Sequence, residues 1–349
     1  MRHIGVDLHK TNFVACLIET DDTQRLETYP LTRDGLSRYK RRLKRADELA
    51  VEATQNVHYF YDQVKARVAR VAVVDTYRFG VVAKSKKKTD KADASALARF
   101  LKLGWLPEVP VPSEEVRTLR QLLQARETLV SMRTKLKNMA HAAFSRNGVA
   151  LTRAAFASAT SRARLASRED LPAADLLVLG VVLRQIEQLD AEVKKIEGEV
   201  TRLGRTLKGL RRLLQVHGLN LLSAISLLAE VGDITFFETS KQLVSYAGLA
   251  TSTRQSSETT RHGGITKRGR KRLRTVCIQA VLAMVNRTDT PLMSFYQKKK
   301  REKGAGKAIC ATARKLLRII FVLLKKGLDY WYLEDRLYNR KLRALNAAA

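Results

Sequence analysis

The chain has 349 residues, and its 65 lysines and arginines against 34 aspartates and glutamates give a formal charge of +31. Repulsion on this scale opposes compaction unless a polyanion neutralises it, and nucleic acid is the polyanion whose phosphates Lys and Arg bind with release of counterions. The three cysteines are too far apart for a disulfide framework or a cysteine metal site, which fits a reducing cytoplasm. The apolar run over residues 316–324 is too short to span a bilayer, so no membrane partner is expected.

Residues 1–106 alternate strand patterns with helix patterns. Four short segments rich in β-branched residues predict strands, and the first two of them should pair: HIGVDL, NFVACLIET, LAVEAT and VAVVDTY. The segments GLSRYKRRLKR and HYFYDQVKARV carry helical patterns between them. This alternation predicts an α/β domain with a central sheet. Pro107, Pro110 and Pro112 then mark a domain boundary.

Two long helices are predicted over residues 107–204. Ser113 is the expected N-cap of the first, followed by Glu114 and Glu115 in the turn where the helix dipole favours acids. In the second, apolar residues recur at alternating spacings of three and four from Leu179 to Leu203. This period predicts a coiled coil, either between the two helices or between the subunits of a dimer or tetramer. Packing inside a helix bundle is the alternative.

Residues 205–335 show short helical patterns joined by glycine turns, which predict a mainly helical domain, and residues 336–349 form a predicted tail. The segment VHGLNLLSAISLLAEVGD is similar to a helix-hairpin-helix element, with Asn220 where the second turn glycine is usual. Residues 261–274, here called the cationic strip, hold seven Lys or Arg and no acid. The nucleic-acid contacts predicted in and beside this strip are Arg254, Arg261, Lys267, Arg268, Arg270, Lys271, Arg272 and Arg274.

Four carboxylates occupy positions that predict a metal site. Asp7 lies inside the apolar run of the first strand, where a carboxylate is costly unless it is paired or metal-bound. Glu52 ends a later strand, and Asp90 and Asp93 are spaced to share one face of a helix. This is the layout of an RNase H-like nuclease core, whose clustered carboxylates hold Mg²⁺. The lysines before that helix suit a phosphate backbone, and they are Lys84, Lys86, Lys87 and Lys88.

Each of these acids also has a structural interpretation. Asp90 follows Thr89, which is a plausible N-cap. The Asp90 carboxylate would then stabilise the helix by its interaction with the positive end of the helix dipole. Glu52 could simply be a surface residue at the end of a strand. The metal hypothesis therefore depends on the four acids occurring in this order on these elements.

A second constellation places serines beside the cationic strip. Ser252, Ser256 and Ser257 precede it, and serines in such segments usually serve turns. A serine hydroxyl that attacks phosphorus needs nearby cations and a glycine turn that lets the backbone approach. The residues that would provide both are Arg254, Arg261, Gly263, Gly264, Lys267 and Arg268. No partner base is identifiable from spacing, so residue types alone leave the nucleophile open.

The two constellations together resemble one family, the DEDD-type insertion-sequence transposases, which are relatives of the Piv DNA invertase and include the bridge-RNA-guided recombinases. The motifs occur in the family's order over nearly the whole chain: GVDLHK, VEAT, KTDKADA, LLAEVGD, YAGL and RHGGITKRG. The resemblance implies a RuvC-like domain over residues 1–106, a coiled-coil connector over 107–204 and a C-terminal transposase domain over 205–335.

The resemblance also implies the roles of individual residues. It carries the catalytic, Mg²⁺-binding tetrad onto Asp7, Glu52, Asp90 and Asp93, and the nucleophile onto Ser256. Ser257 stands where the family has a glycine and stays the alternative nucleophile.

The implied function is transposition in the bacterial cytoplasm, in association with the nucleoid. Donor and target DNA would be cleaved and rejoined through a phosphoserine, with specificity from an element-encoded guide RNA. Two alternatives stay open from the residues. One is a metal-dependent, structure-specific endonuclease similar to a junction resolvase, and the other is a non-catalytic nucleic-acid-binding protein.

Overall fold

The computed structural model describes residues 1–82, 89–168, 171–256, 259–285, 287 and 289–347. The chain divides into two compact units, Met1–Val111 and Pro112–Ala349. The first unit is mixed α/β and the second is mostly helical, which confirms the predicted fold class at this level. The predicted domain limits at residues 106, 204 and 335 stay predictions.

The N-terminal unit is built on a five-stranded sheet. Its elements are β1 (His3–Leu8), β2 (Asn12–Ile18), β3 (Gln24–Pro30), α1 (Arg33–Arg42), β4 (Glu48–Glu52), α2 (Val57–Val64), β5 (Arg70–Val74), α3 (Thr76–Val82) and α4 (Asp90–Lys102). The strand order in the sheet is β3-β2-β1-β4-β5. Strand β1 pairs antiparallel with β2 and parallel with β4, while β3 pairs antiparallel with β2 and β5 pairs parallel with β4.

The two faces of the sheet bury different sets of side chains, because successive residues of a strand point to opposite faces. Ile4, Val6 and Leu8 of β1 pack with Tyr39 and Phe60, which belong to α1 and α2. On the other face, Val14, Cys16 and Ile18 of β2 pack against Ala94 and Ala98 of α4. Helix α4 therefore covers the face to which Gly5 and Asp7 of β1 belong.

Gly5 allows α4 to lie directly on β1. A Cβ atom at this position would stand 2.1 Å from the Ala94 carbonyl oxygen and 2.3 Å from the Ala98 nitrogen. Both distances are far below any real contact, so only glycine fits here. Asp7 is two residues further along the same face of the strand, so this contact fixes the distance between the strand's carboxylate and the helix.

Two strand regions and one short helix differ from the sequence prediction. Strand β3 was not predicted, because it is an edge strand whose side chains are mostly exposed and polar, without the apolar alternation of a half-buried strand. The sequence of the hairpin formed by β6 (Thr251–Ser256) and β7 (Thr259–Ile265) favours serine-rich turns, because its residues are mostly polar and lack the apolar alternation of a strand. Helix α3 also has no apolar pattern that predicts it.

Besides this hairpin, the C-terminal unit consists of helices. They are α5 (Glu114–Arg146), α6 (Ala159–Ala166), α7 (Ala173–Gly204), α8 (Leu210–Gln215), α9 (Leu221–Val231), α10 (Ser240–Tyr246), α11 (Lys271–Met284), α12 (Pro291–Lys303), α13 (Ala305–Lys326) and α14 (Asp335–Ala347), with 3₁₀ turns at Arg153–Phe156 and Ile234–Phe236. None of the described helices has the length and hydropathy that crossing a membrane requires.

The two predicted long helices, α5 and α7, pair antiparallel within one chain. Arg126 forms an ion pair with Glu197, with 2.6 Å between guanidinium and carboxylate, and Arg133 pairs with Asp190. The heptad residue Ile186 of α7 is buried beside Phe144 of α5. The heptad pattern of α7 predicted pairing either with the other long helix of the same chain or with another subunit. The structure shows α7 packed against α5 of the same chain, and a coiled coil between subunits stays a prediction.

Helix α14 begins at Asp335 and so takes up most of the predicted tail. Its Leu345 is buried in the core of the C-terminal unit. The ammonium of Lys341 donates to the carbonyl oxygens of Leu214 and Val216, both at 2.8 Å. A cation at the carbonyl end of α8 satisfies groups that the helix itself leaves without donors.

We expect the substitution Gly5→Ala to push α4 away from β1 and to lower the free energy of unfolding by about 1–3 kcal/mol, as overpacking in a core does. The matched control is Gly80→Ala in α3, because nothing lies within 4 Å of a Cβ added there. Calorimetric melting of both variants checks this. Equal melting temperatures would show that the α4–β1 contact is looser than described.

Candidate metal centre and nucleic-acid interface

Two of the predicted acids lie at the same edge of the sheet. Val6 of β1 pairs with Val51 of β4, and Asp7 and Glu52 are the next residue on each strand. Because β1 and β4 are parallel, their ends with these acids lie side by side. Both side chains are half-buried. The register of the sheet therefore brings one carboxylate from each strand to one place.

The first turn of α4 brings the other two acids. The side chain of Thr89 accepts a hydrogen bond from the Ala92 backbone N–H, so Thr89 is the N-cap, as its sequence position suggested. Asp90 and Asp93 follow in the first turn, where the positive end of the helix dipole stabilises negative charge. The structural interpretation of Asp90 and its placement at a metal site are thus compatible.

His9 joins two of these acids and was not singled out from the sequence. Its Nε2 atom lies 3.2 Å from Oδ2 of Asp7 and 3.1 Å from Oδ2 of Asp90. This nitrogen is buried, and among the described residues it has no partner with proper hydrogen-bond geometry. The available signal was its position two residues after Asp7, on the same side by strand alternation.

The turn that carries His9 is anchored to the segment after Glu52. The Asn56 side-chain amide donates to the carbonyl oxygens of His9 and Lys10, both at 3.3 Å. The Thr54 hydroxyl donates to the Leu8 carbonyl at 3.5 Å. These contacts hold the end of β1 to the end of β4, the two strands that supply Asp7 and Glu52.

The electrostatics of the site favour a bound cation. Burial raises the pKa of Asp7, whose side chain is only 13% exposed; His9 opposes this shift, and the charges of Asp90 and Asp93 add to it. Carboxylates that raise one another's pKa repel, and a cation between them removes the repulsion.

The donor atoms fit a divalent metal ion. One atom each from Asp7, His9 and Asp90 lies within 4.8 Å of the other two. Carboxylate oxygens suit Mg²⁺ and Mn²⁺, and an imidazole nitrogen is a common ligand of transition metals. The His9 nitrogen and one carboxylate oxygen each from Asp7 and Asp90 thus offer three possible ligand atoms around one point. Asp93 lies in the same first turn of α4 as Asp90, and Glu52 follows the residue of β4 that pairs with Val6 of β1.

The hairpin of the C-terminal unit carries the predicted serine. Ser256 is the last residue of β6 and its backbone pairs with Thr259 of β7, while Arg254 pairs with Arg261. Ser257 lies outside the described residues, as do Lys84, Lys86, Lys87 and Lys88. At the base of the hairpin the Ser252 hydroxyl donates to the Gly264 carbonyl at 3.2 Å. The register therefore places Ser256 at the far end of the hairpin.

Three arginines of the cationic strip have protein partners. Arg270 donates to the Tyr246 hydroxyl and Arg274 to the Ala247 carbonyl, both at 2.9 Å. Arg272 donates to Glu230 at 2.7 Å, and Glu230 is only 3% exposed. Because a buried carboxylate requires a partner, Arg272 stabilises the attachment of α11 to α9.

Three further basic residues of the strip have exposed side chains. Lys267, Arg268 and Lys271 are exposed at the junction between the hairpin and α11. Their contact with nucleic acid stays a prediction, as it does for the arginines that have protein partners. The strip thus combines side chains that fix its position with exposed charges that can meet a phosphate.

Comparison with known proteins gives the family. Residues 210–297 match the model described as Transposase IS116/IS110/IS902 family, and residues 4–146 match the model of the IS110 DEDD transposases, described as Transposase. Together the two matches cover about two thirds of the chain. The chain belongs to the IS116/IS110/IS902 family of transposases. Membership in this DEDD family implies that the activity depends on a divalent metal ion.

Curated relatives agree over most of their length. The chain is 27% identical to a probable family 20 transposase of Pseudomonas aeruginosa over 81% of this chain and 85% of the relative. It is 26% identical to the transposase for insertion sequence element IS1111A of Coxiella burnetii, over 94% of this chain and 90% of the relative. The transposase for IS1328 of Yersinia enterocolitica is 23% identical over 80% and 84%.

The raised pKa of Asp7 predicts a pH-dependent effect of Asp7→Asn on the metal-free transposase. Above the raised pKa the folded state carries the full cost of the ionised, buried carboxylate. This cost is lost as the pH falls through the raised pKa towards the ordinary value of 3.8, because the folded protein takes up the proton first. We therefore expect Asp7→Asn to raise the melting temperature at neutral pH in the presence of a chelator.

The gain from Asp7→Asn should shrink as the pH is lowered towards the ordinary range of an aspartate. Asp34→Asn is the control, because Asp34 is exposed in the first turn of α1 and should give no gain at any pH. A variant that melts below the wild type at neutral pH would contradict the proposed repulsion at the site.

Proposed function

We propose that this transposase cleaves and rejoins DNA through a phosphoserine bond to Ser256, with Mg²⁺ held by the acids of the N-terminal unit. The observation that carries this proposal is the convergence of Asp7, His9 and Asp90 on one point beside Glu52 and Asp93. The order and directions of the five strands, with α4 across β1, are in keeping with an RNase H-like fold for this unit. Membership in a DEDD family supports the roles of the four acids.

The residues of the acid centre would hold the metal and set its surroundings. Asp7 and Asp90 supply carboxylate oxygens, and Glu52 and Asp93 complete the negative surface that attracts the cation. When bound, a divalent ion polarises a phosphodiester and offsets the charge that develops in the transition state. His9 either adds a nitrogen ligand or orients the two aspartates that flank it.

In the proposed reaction the Ser256 hydroxyl oxygen forms a bond to phosphorus. The bond from phosphorus to one deoxyribose oxygen breaks, the serine proton leaves to solvent or a base, and the departing oxygen takes up a proton. The phosphodiester energy is kept in the phosphoserine, so a hydroxyl of another strand can reverse the step without ATP. The position of Ser256 at the end of β6, two residues beyond Arg254 and its strand partner Arg261, supports this role.

The partners that we propose are donor DNA, target DNA and an element-encoded guide RNA. A formal charge of +31 supports binding to several nucleic-acid strands at once. The reaction needs the acids and the serine at one phosphodiester, supplied by one chain or by two chains of a dimer or tetramer. A protein of this kind would read the shape and backbone of an RNA helix and leave sequence to base pairing.

The second candidate function is a metal-dependent endonuclease in which Ser256 has no part. It is favoured by one observation, namely that Asp7, His9 and Asp90 come together within the N-terminal unit alone. The two candidates differ in their product, because only the first leaves protein covalently attached to DNA.

We expect Ser256→Ala to abolish a covalent protein–DNA adduct on a substrate that traps the intermediate. DNA binding should stay within about twofold, because one hydroxyl contributes little beside the phosphate contacts of the basic residues. The measurement is denaturing electrophoresis of labelled DNA, followed by peptide mapping of the adduct.

Ser252→Ala is the matched control on the same strand, since the Ser252 hydroxyl is engaged with Gly264 at the base of the hairpin. This variant should keep the adduct. Loss of the adduct in Ser257→Ala with retention in Ser256→Ala would move the role to Ser257. Metal-dependent cleavage without any adduct in the wild type would favour the endonuclease.

A further inference from the structure

A basic pocket lies in the C-terminal unit. The residues that line it are distant in sequence from Ser256 and from the cationic strip. The pocket encloses about 550 Å³ between the start of α8 and the loop that precedes α14. The side chains that matter for its chemistry are Arg205, Arg211, Arg212, Gln215, Asp329 and Tyr338. Three guanidiniums thus face one concavity that contains a single carboxylate.

These arginines differ from those of the cationic strip, because they have no partner in the described part of the chain. None of the guanidiniums of Arg205, Arg211 and Arg212 forms a hydrogen bond or an ion pair there. The Nε atom of Arg212 is buried and lacks a hydrogen-bond acceptor. Guanidinium groups close to one another repel when no anion neutralises them. A phosphate is a suitable anion, because the planar guanidinium donates two parallel hydrogen bonds to phosphate oxygens.

Among the described residues, the Asp329 carboxylate forms no ion pair with these guanidiniums and is instead bonded to Gln215. Its Oδ1 accepts a hydrogen bond from the Gln215 amide at 2.9 Å. The same Gln215 accepts from the Tyr330 backbone N–H at 2.7 Å. Gln215 therefore fixes the loop that forms the far wall of the pocket.

The fixed loop presents an aromatic side chain to solvent. Tyr330 is buried, with its ring 6.1 Å from the ring of His217, whereas the next residue, Trp331, is 88% exposed. An exposed tryptophan on an anchored loop, two residues beyond Asp329, is poorly explained by packing. Tyr332 beside it is also exposed. Aromatic faces held out to solvent are the surfaces on which unpaired bases stack.

We propose that this pocket and Trp331 form a binding site for unpaired nucleotides of a single-stranded nucleic acid. The guanidiniums of Arg205, Arg211 and Arg212 hold the phosphate, and the indole of Trp331 stacks on the base. A basic groove beside exposed aromatic rings is the usual construction of single-strand binding sites. A duplex offers the phosphates but hides the faces of its bases, so it should not engage the tryptophan.

Fluorescence of Trp331 gives a local test, because the chain has only two tryptophans. In a Trp105→Phe, Ser256→Ala protein, Trp331 is the single reporter, and phosphoserine chemistry plays no part in the result. We expect a short oligothymidylate to quench this fluorescence. Arg211→Ala with Arg212→Ala should weaken the quenching titration about tenfold, in keeping with the loss of two phosphate-binding groups. Trp331→Leu should weaken binding of the labelled oligonucleotide by a similar factor.

The matched control removes two exposed cations elsewhere, through Arg184→Ala with Lys194→Ala on α7, and should leave the quenching titration unchanged. Oligothymidylate and oligouridylate are compared, and the tighter binder identifies whether DNA or RNA is the source of the strand. Absence of quenching by both would overturn the proposal. Equal quenching by a duplex, or a titration insensitive to Arg211 and Arg212, would overturn it as well.

Discussion

The N-terminal unit depends on the close approach of α4 to β1 at Gly5, where no side chain separates the helix backbone from the strand. This approach places the capped first turn of α4 against the end of β1, so Asp90 comes within reach of the histidine that follows Asp7. The parallel register of β1 and β4 adds Glu52 at the same edge. The acid centre is thus a consequence of sheet register and helix packing, and the charges of Asp90 and Asp93 repel that of Asp7 there.

Two features of the chain reduce this repulsion before any metal binds. The positive end of the α4 dipole faces the carboxylates, and the His9 ring lies between two of them. Burial and the charges of Asp90 and Asp93 still raise the pKa of Asp7. A divalent cation would remove what is left of the repulsion, so the same geometry that is unfavourable in the free protein favours metal binding.

The C-terminal unit uses buried charge for a different purpose. Glu230 lies in the apolar helix α9, and Arg272 at the start of α11 neutralises it while also donating to Gln124 and Glu127 of α5. This network joins three helices beneath the cationic strip. The strip can then expose its lysines at a fixed position beside the hairpin. Among the described residues, the arginines of the pocket have no such network, which is the reason to assign them an outside ligand.

Much of the fold and part of the site could be predicted from the sequence. The strands that flank the acids have the apolar patterns of buried strands, and the heptads of α7 are equally clear. The edge strand β3 and the hairpin β6–β7 escaped prediction because their residues are mostly polar, so their pairing comes from neighbours and not from local pattern. The spacing of His9 from Asp7 was a usable signal, but the contact of His9 with Asp90 and the pairing of Arg272 with Gln124 could not be read from spacing, because both join distant parts of the chain.

Titration with Mn²⁺, followed by loss of the free-ion electron paramagnetic resonance signal, tests the acid centre most directly. Binding by the wild type should weaken about tenfold or more in Asp90→Asn and in His9→Ala, the range seen when a metal site loses a ligand or the group that orients one. Asp21→Asn should bind as the wild type does, since Asp21 is an exposed acid in the turn between β2 and β3. Unchanged Mn²⁺ affinity in both site variants would contradict a metal centre between β1 and α4.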